Sequence, residues 1–307
     1  MRKPSARYVE AIAHSRSACA VAALVLCAAL GGCRSLGSRE PVSESVAMGR
    51  QLTQQGANSM ERGDWKRAES LLERAVATSP SDADARRNYA EALLHRGAMQ
   101  QALAQLEQAR KLTPGDPGLT VRTGEIELQL AKIDRAEELA EEALRIDPKF
   151  ASAWALRGRV AAARGQPRKA LADYQRALGY AYNDEVTVQL AEAYRQLNQP
   201  EQALAALQSV ADRYSPGEEP QRVLHLEGLA LSALGRHDDA ARVLALAAQR
   251  QRPSADLLCH LAEAEFAAGR TPNAQYALQQ ALAQDPAHGP SRALTTRMAT
   301  ASRPIMR

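Results

Sequence analysis

Cys259 and His260 are adjacent side chains with ligating and nucleophilic chemistry. A helical metal pair needs ligands three or four residues apart so that both share a face. Neighbours on a helix point about 100° apart, so Cys259 reads as a buried or lightly exposed thiol. His95, His225, His237 and His288 are dispersed along the chain. His225 and His260 occupy comparable places in successive segments and are expected to approach one another, which alone makes no catalytic site. Glu137-Glu138 and Glu141-Glu142 lie four apart, as expected of a solvated helix face. The sequence contains no metalloprotease His pair, phosphate-cradling Gly loop, nucleophile elbow or paired-Cys zinc spacing. We therefore expect no enzyme, no catalytic residue, no metal or other cofactor, and no small-molecule substrate.

Cys33 carries a different chemistry. Residues 1–17 hold Arg2, Lys3, Arg7 and Arg16 against Glu10, and Ala18 to Leu30 is an uninterrupted small and apolar run. That run is short for a membrane span and fits a signal-peptide core. It ends in Leu30-Gly31-Gly32-Cys33, which resembles the bacterial lipobox. The resemblance implies cleavage after Gly32, with a diacylglyceryl thioether on Cys33 and an acylated amino terminus. Acyl chains contribute about 0.8 kcal/mol per buried methylene, enough in combination for stable anchoring. Arg34 follows where Asp would imply retention in the inner membrane, so the expected address is the outer membrane, facing the periplasm. Residues 33–48 read as the lipidated Cys and a flexible tether, of roughly 20 Å reach as a coil.

Processing changes the charge argument. The whole chain is +4, but residues 33–307 hold 35 basic and 34 acidic groups. Nucleic acid is therefore not an expected partner, although Arg292, Arg297, Arg303 and Arg307 make the last segment basic. Of four cysteines, Cys19 and Cys27 leave with the signal peptide and Cys33 is acylated. Cys259 then has no partner for an intramolecular disulfide.

The elements that position everything else recur. Gly56, Ala90, Gly124, Gly158, Ala191, Gly228 and Ala262 are spaced by 34, 34, 34, 33, 37 and 34 residues. Ala68, Ala102, Ala136, Ala170, Ala203, Ala240 and Ala274 repeat those spacings twelve residues later. Gly63, Gly97, Gly165, Gly235 and Gly269 mark the break between two helix-like halves, and Pro80, Pro114, Pro148 and Pro286 close their units. The regular breakers exclude an Ala-rich coiled coil, which needs an unbroken seven-residue period. This pattern resembles the tetratricopeptide repeat family. Repeat four departs from it with Arg157 where Leu is usual and Tyr182 where Pro is usual, and the polar insert Ser215–Pro220 delays repeat six.

The resemblance implies an all-α fold, a right-handed α-solenoid of about seven helix-turn-helix repeats. The expected units are 49–82, 83–116, 117–150, 151–183, 184–220, 221–254 and 255–288, followed at 289–307 by a tail or short capping helix. Small residues at position 8 of the first helix and position 20 of the second let the helices approach closely. In the family, first helices line a concave groove through positions 2, 5, 6, 9, 12 and 13. Here these include Arg87, Asn88, Glu91, Arg122, Glu125, Arg159, Gln189, Glu192, Arg195, His225 and Glu263. The Lys and Asn set with which some members clamp a peptide carboxylate is missing. The implied function is a non-catalytic adaptor holding protein partners in that groove, anchored to the membrane by lipid, in an envelope assembly such as a pilus, secretion, polysaccharide-export or cell-wall machine. The alternatives are an assembly chaperone with an uncleaved signal anchor and an accessory subunit of an envelope enzyme.

Overall fold

A computed structural model describes residues 44–301 of the 307-residue chain. The signal peptide at 1–32, Cys33, the tether up to residue 43 and residues 302–307 lie outside the described residues. Among the described residues the chain is all helix and turn, with no strand and no helix long and apolar enough to cross a membrane.

The fifteen helices of the described residues form seven pairs and a final single helix. The first helices of the pairs are α1 (Glu44–Glu61), α3 (Ala83–His95), α5 (Pro117–Gln129), α7 (Ala151–Ala163), α9 (Asp184–Gln196), α11 (Gln221–Ala233) and α13 (Ala255–Ala267). Their second helices are α2 (Trp65–Thr78), α4 (Met99–Leu112), α6 (Ile133–Ile146), α8 (Pro167–Tyr180), α10 (Pro200–Ala211), α12 (His237–Arg250) and α14 (Thr271–Gln284). Helix α15 (Gly289–Ala301) ends the array. Each helix packs on the next in the chain, and successive first helices also touch, which is the stacking of a solenoid. Helix α1 begins at Glu44, so residues 44–48 are helical rather than part of a flexible tether. Residues 289–301 are a helix rather than a tail, with Ser291, Leu294 and Met298 buried against α13 and α14.

The position-8 residue is small because a larger side chain from position 24 already occupies its space. A Cβ on Gly56 would lie 2.5 Å from Leu72, on Gly158 2.5 Å from the Tyr174 ring, and on Gly228 2.4 Å from Leu244. Repeat three has Ala140 at position 24, and there Leu156 of the next unit fills the gap, 2.6 Å from a Cβ built on Gly124. Seven hydrophobic clusters follow one another along the array, and their apolar burial is the main stabilising contribution.

Helix ends are set locally. Asp64, Asp82, Asp116, Asn183 and Ser254 cap their helices by accepting a backbone N–H two or three residues ahead. Position 15 is left-handed throughout, with φ between +69° and +83° at its five glycines and φ of 58° and 56° at Ala131 and Asn198. The turn between paired helices requires that conformation even where the residue bears a Cβ.

The departures in repeat four each have a partner of their own. Arg157 Nε and Nη2 donate to both oxygens of Asp173 at 2.9 and 2.6 Å. The Arg157 guanidinium also lies 4.3 Å from the centre of the Trp154 ring, whose indole N–H donates to Pro148 O at 2.8 Å. Tyr182, in place of the closing proline, lies under Arg213 at 4.5 Å. The insert before repeat six is held down by Arg250, which donates to Glu219 at 2.6 Å.

Candidate partner-binding groove

The groove residues come from the same face of successive first helices, so residues one repeat apart in sequence become neighbours. Arg122 donates from Nε and Nη2 to the two oxygens of Glu91, at 2.7 and 2.6 Å, and from Nη1 to Glu125 at 2.9 Å. Arg159 donates to the other oxygen of Glu125 at 2.6 Å. Glu91, Arg122, Glu125 and Arg159 thus form one continuous ladder across α3, α5 and α7. These contacts hold the Arg122 guanidinium firmly protonated, the Glu91 hydrogen bonds contributing most.

A second set joins α9 to α11. Arg222 donates to Glu185 at 2.8 Å and Glu192 at 3.2 Å, and Gln189 Nε2 donates to Glu185 at 3.1 Å. Glu185 and Arg222 were not among the residues singled out from the sequence. Each stands at position 2 of its unit, and that register is the signal that marks them. Arg87 stands apart, paired among the described residues only with its exposed helix neighbour Asp84 at 2.9 Å. Asn88 is half-buried beside it.

Between these sets lies a cavity of about 210 Å³, bordered by Glu125, Ser152, Ala155, Arg159, Tyr182 and Gln189. Arg159 Nε and Gln189 Oε1 are buried without a hydrogen-bond partner among the described residues. A larger hollow of about 650 Å³ opens at the amino-terminal end, where Arg50 and Arg87 face Asp82, Asp84 and Asp116.

The carboxy-terminal third brings histidines together. His225 of α11 and His260 of α13 approach to 2.9 Å, Nε2 to Nδ1, with ring centres 5.1 Å apart. Burial, then repulsion from His260, pushes the His225 pKa down to about 4; burial likewise lowers that of His260. Cys259, adjacent to His260, is buried and its thiol is pushed up by desolvation. Among the described residues no group of three or more His, Cys, Asp and Glu is placed to hold a metal ion.

Models of the tetratricopeptide repeat match residues 59–118 and 94–160, 185–215 and 225–289. A search of curated protein sequences found no match. Among solved structures, the chain is similar to PilW, described as a widely conserved type IV pilus biogenesis factor, at 20% identity and a TM-score of 0.62, over 69% of this chain and 98% of that one. It is similar to a thermophilic tetratricopeptide protein of Thermus thermophilus at 25% identity and a TM-score of 0.51, over 61% and 98% of the two chains. It is also similar to YrrB, described as having an unusual peptide-binding site, at 19% identity and a TM-score of 0.52, over 62% and 97%.

Proposed function

Because the chain belongs to the tetratricopeptide repeat family, we propose that it is a non-catalytic interaction scaffold, held on the bacterial outer membrane by a lipid on Cys33 and facing the periplasm. The observation that supports the scaffold reading best is the run of polar first-helix side chains, from Arg87 to His260, on the face shared by successive repeats. A solenoid offers a partner one long surface without requiring it to fold around a pocket. Arg and Glu in that surface bind polar groups and reject wrong partners by desolvation and like charge. The sequence of basic, apolar and small-residue zones ending at Cys33 supports the anchor. The fold likeness to a pilus biogenesis factor makes assembly of an envelope machine the preferred setting.

Two measurements test this. Photo-crosslinkers placed singly at Asn88 and Ser152 in the groove, and at exposed Tyr276 on α14, should capture the same partner in envelope membranes from the groove positions only. Capture from Tyr276 alone would move the binding surface out of the groove. Mass spectrometry of the mature amino terminus should find an acylated Cys33. An unmodified chain starting upstream of Cys33 would refute the anchor.

A further inference from the structure

The inner face of α9, α11 and α13 is charged differently from the rest of the groove. Arg122, Arg159 and Arg222 each hold a carboxylate. Arg195 on α9 is exposed and has no carboxylate at ion-pair distance among the described residues. Its charge is felt instead by His225 and His260, whose protonation it disfavours.

The other charged groups around the pair are already engaged. His225 faces His260, Asp256 and Arg195, while His260 faces Glu263, Asp256, Arg195 and His288. Asp256 lies 3.0 Å from His288 Nε2, Glu263 lies 3.6 Å from Arg297, and Glu192 receives Arg222 at 3.2 Å. The two imidazoles share one hydrogen bond, and His225 Nδ1 and His260 Nε2 have no partner among the described residues. Two neutral rings joined in this way keep one free N–H and one bare nitrogen, whichever ring donates. An unpaired guanidinium on α9 and a free imidazole N–H on the helices packed after it, all on one groove face, together offer the complement of a carboxylate.

We propose that Arg195, His225 and His260 form a subsite for an acidic side chain, an Asp or Glu on a partner segment lying in the groove, and that its binding takes up a proton. This rests on the scaffold reading and adds the chemistry of the partner at one place in the groove. Burial, the His260 ring and Arg195 together hold the His225 pKa down at about 4, and an incoming carboxylate favours the imidazolium against them, moving that pKa back toward 6.5. Between those values the bound state holds more proton than the free state, so affinity rises as pH falls. A glutamate, with an ordinary pKa near 4.3, stays largely ionised at pH 5.5.

The test uses the full chain in detergent and two labelled ten-residue peptides, one alternating Glu and Ala, the other Gln and Ala. The Glu peptide should bind in preference to the Gln peptide, and about threefold to tenfold more tightly at pH 5.5 than at pH 7.5. Titration calorimetry in buffers of different ionisation enthalpy should register proton uptake. Arg195→Gln should weaken the Glu peptide about tenfold at both pH values, with a normal melt because Arg195 is exposed. The double variant His225→Gln, His260→Gln should lose both the pH dependence and the proton uptake. Failure of the Glu peptide to bind in preference, or pH dependence persisting in the double variant, overturns the proposal. Crosslinking at Asn88 and Ser152 is independent of this subsite, so its persistence after such a failure would leave the scaffold reading standing.

Discussion

Gly158→Ala should destabilise repeat four, and a second substitution should rescue it. The new Cβ would lie 2.5 and 2.6 Å from Cε1 and Cδ1 of Tyr174, a rigid ring that is itself 2% exposed. Clearing that overlap needs a shift of about 1 Å, and overpacking of this kind costs about 1–3 kcal/mol. Replacing a mid-helix Gly by Ala gains about 1 kcal/mol of helix propensity, so the net loss should be at most about 2 kcal/mol. The array contains its own control. Ala at position 8 already coexists with Leu at position 24 in the pairs Ala90 and Leu106, Ala191 and Leu207, and Ala262 and Leu278. Leu at position 24 does not guarantee room for that Cβ, because Leu72 and Leu244 lie 2.5 and 2.4 Å from a Cβ built on Gly56 and Gly228. The rescue background is therefore Tyr174→Ala, in which the same Gly158→Ala change should be neutral or stabilising by up to about 1 kcal/mol relative to Tyr174→Ala alone. The assay is a urea midpoint read from Trp154 fluorescence, after Trp65→Phe leaves it the only tryptophan. Trp154 packs in the same cluster as Tyr174, so it reports the local unit in a chain whose repeats can unfold separately. Effects that add to within about 0.5 kcal/mol would refute the contact argument.

Ala131→Gly should stabilise repeat three by about 0.5–1 kcal/mol, because Ala131 has φ of 58°; an unchanged or lower urea midpoint would count against the left-handed turn. Asp173→Ala leaves the Arg157 guanidinium without its bidentate partner in a partly buried site and should cost about 2–4 kcal/mol, measured by the same Trp154 transition; a loss under about 0.5 kcal/mol would show the pair to be dispensable. For His225 the folded pKa of about 4 lies below the ordinary 6.5, so its contribution to stability is present above pH 6.5 and is lost as the pH falls through 4. Screened by solvent around a partly exposed ring, the effect should be about 1–2 kcal/mol, and His225→Gln should flatten that part of the profile of urea midpoint against pH; an identical acid limb would place the acid sensitivity elsewhere.

The fold was legible because two packing rules leave marks on residue type. Gly or Ala must stand where a position-24 side chain lies within contact of the first-helix backbone, as at Gly158 against Tyr174. Gly is favoured where the inter-helix turn demands positive φ. The second mark fades at Ala131 and Asn198, where tertiary packing holds the same turn without glycine. The early start of α1 was hidden for another reason. Ser45 to Met48 lies upstream of the first repeating small residue, so no periodic signal separated it from a tether, although Glu44 suits a helix amino terminus.

The groove was legible as a register and illegible as a set of partnerships. Position in the repeat identified Arg122, Arg159 and Arg195 as inner-face cations, but sequence alone gives all three the same standing. The structure separates them by where the neighbouring carboxylates fall. Glu91 and Glu125 sit one repeat away from Arg122 and Arg159 and neutralise them, whereas Glu192, three residues before Arg195 on the same helix, is turned to Arg222 instead. A partner reaching Arg122 must break or share a bidentate pair, and removing one member of such a pair leaves the other uncompensated. A partner reaching Arg195 breaks no ion pair. Charge recognition in this groove is therefore expected to concentrate at the carboxy-terminal repeats, while the ladder from Glu91 to Arg159 holds the register of the central helices against one another.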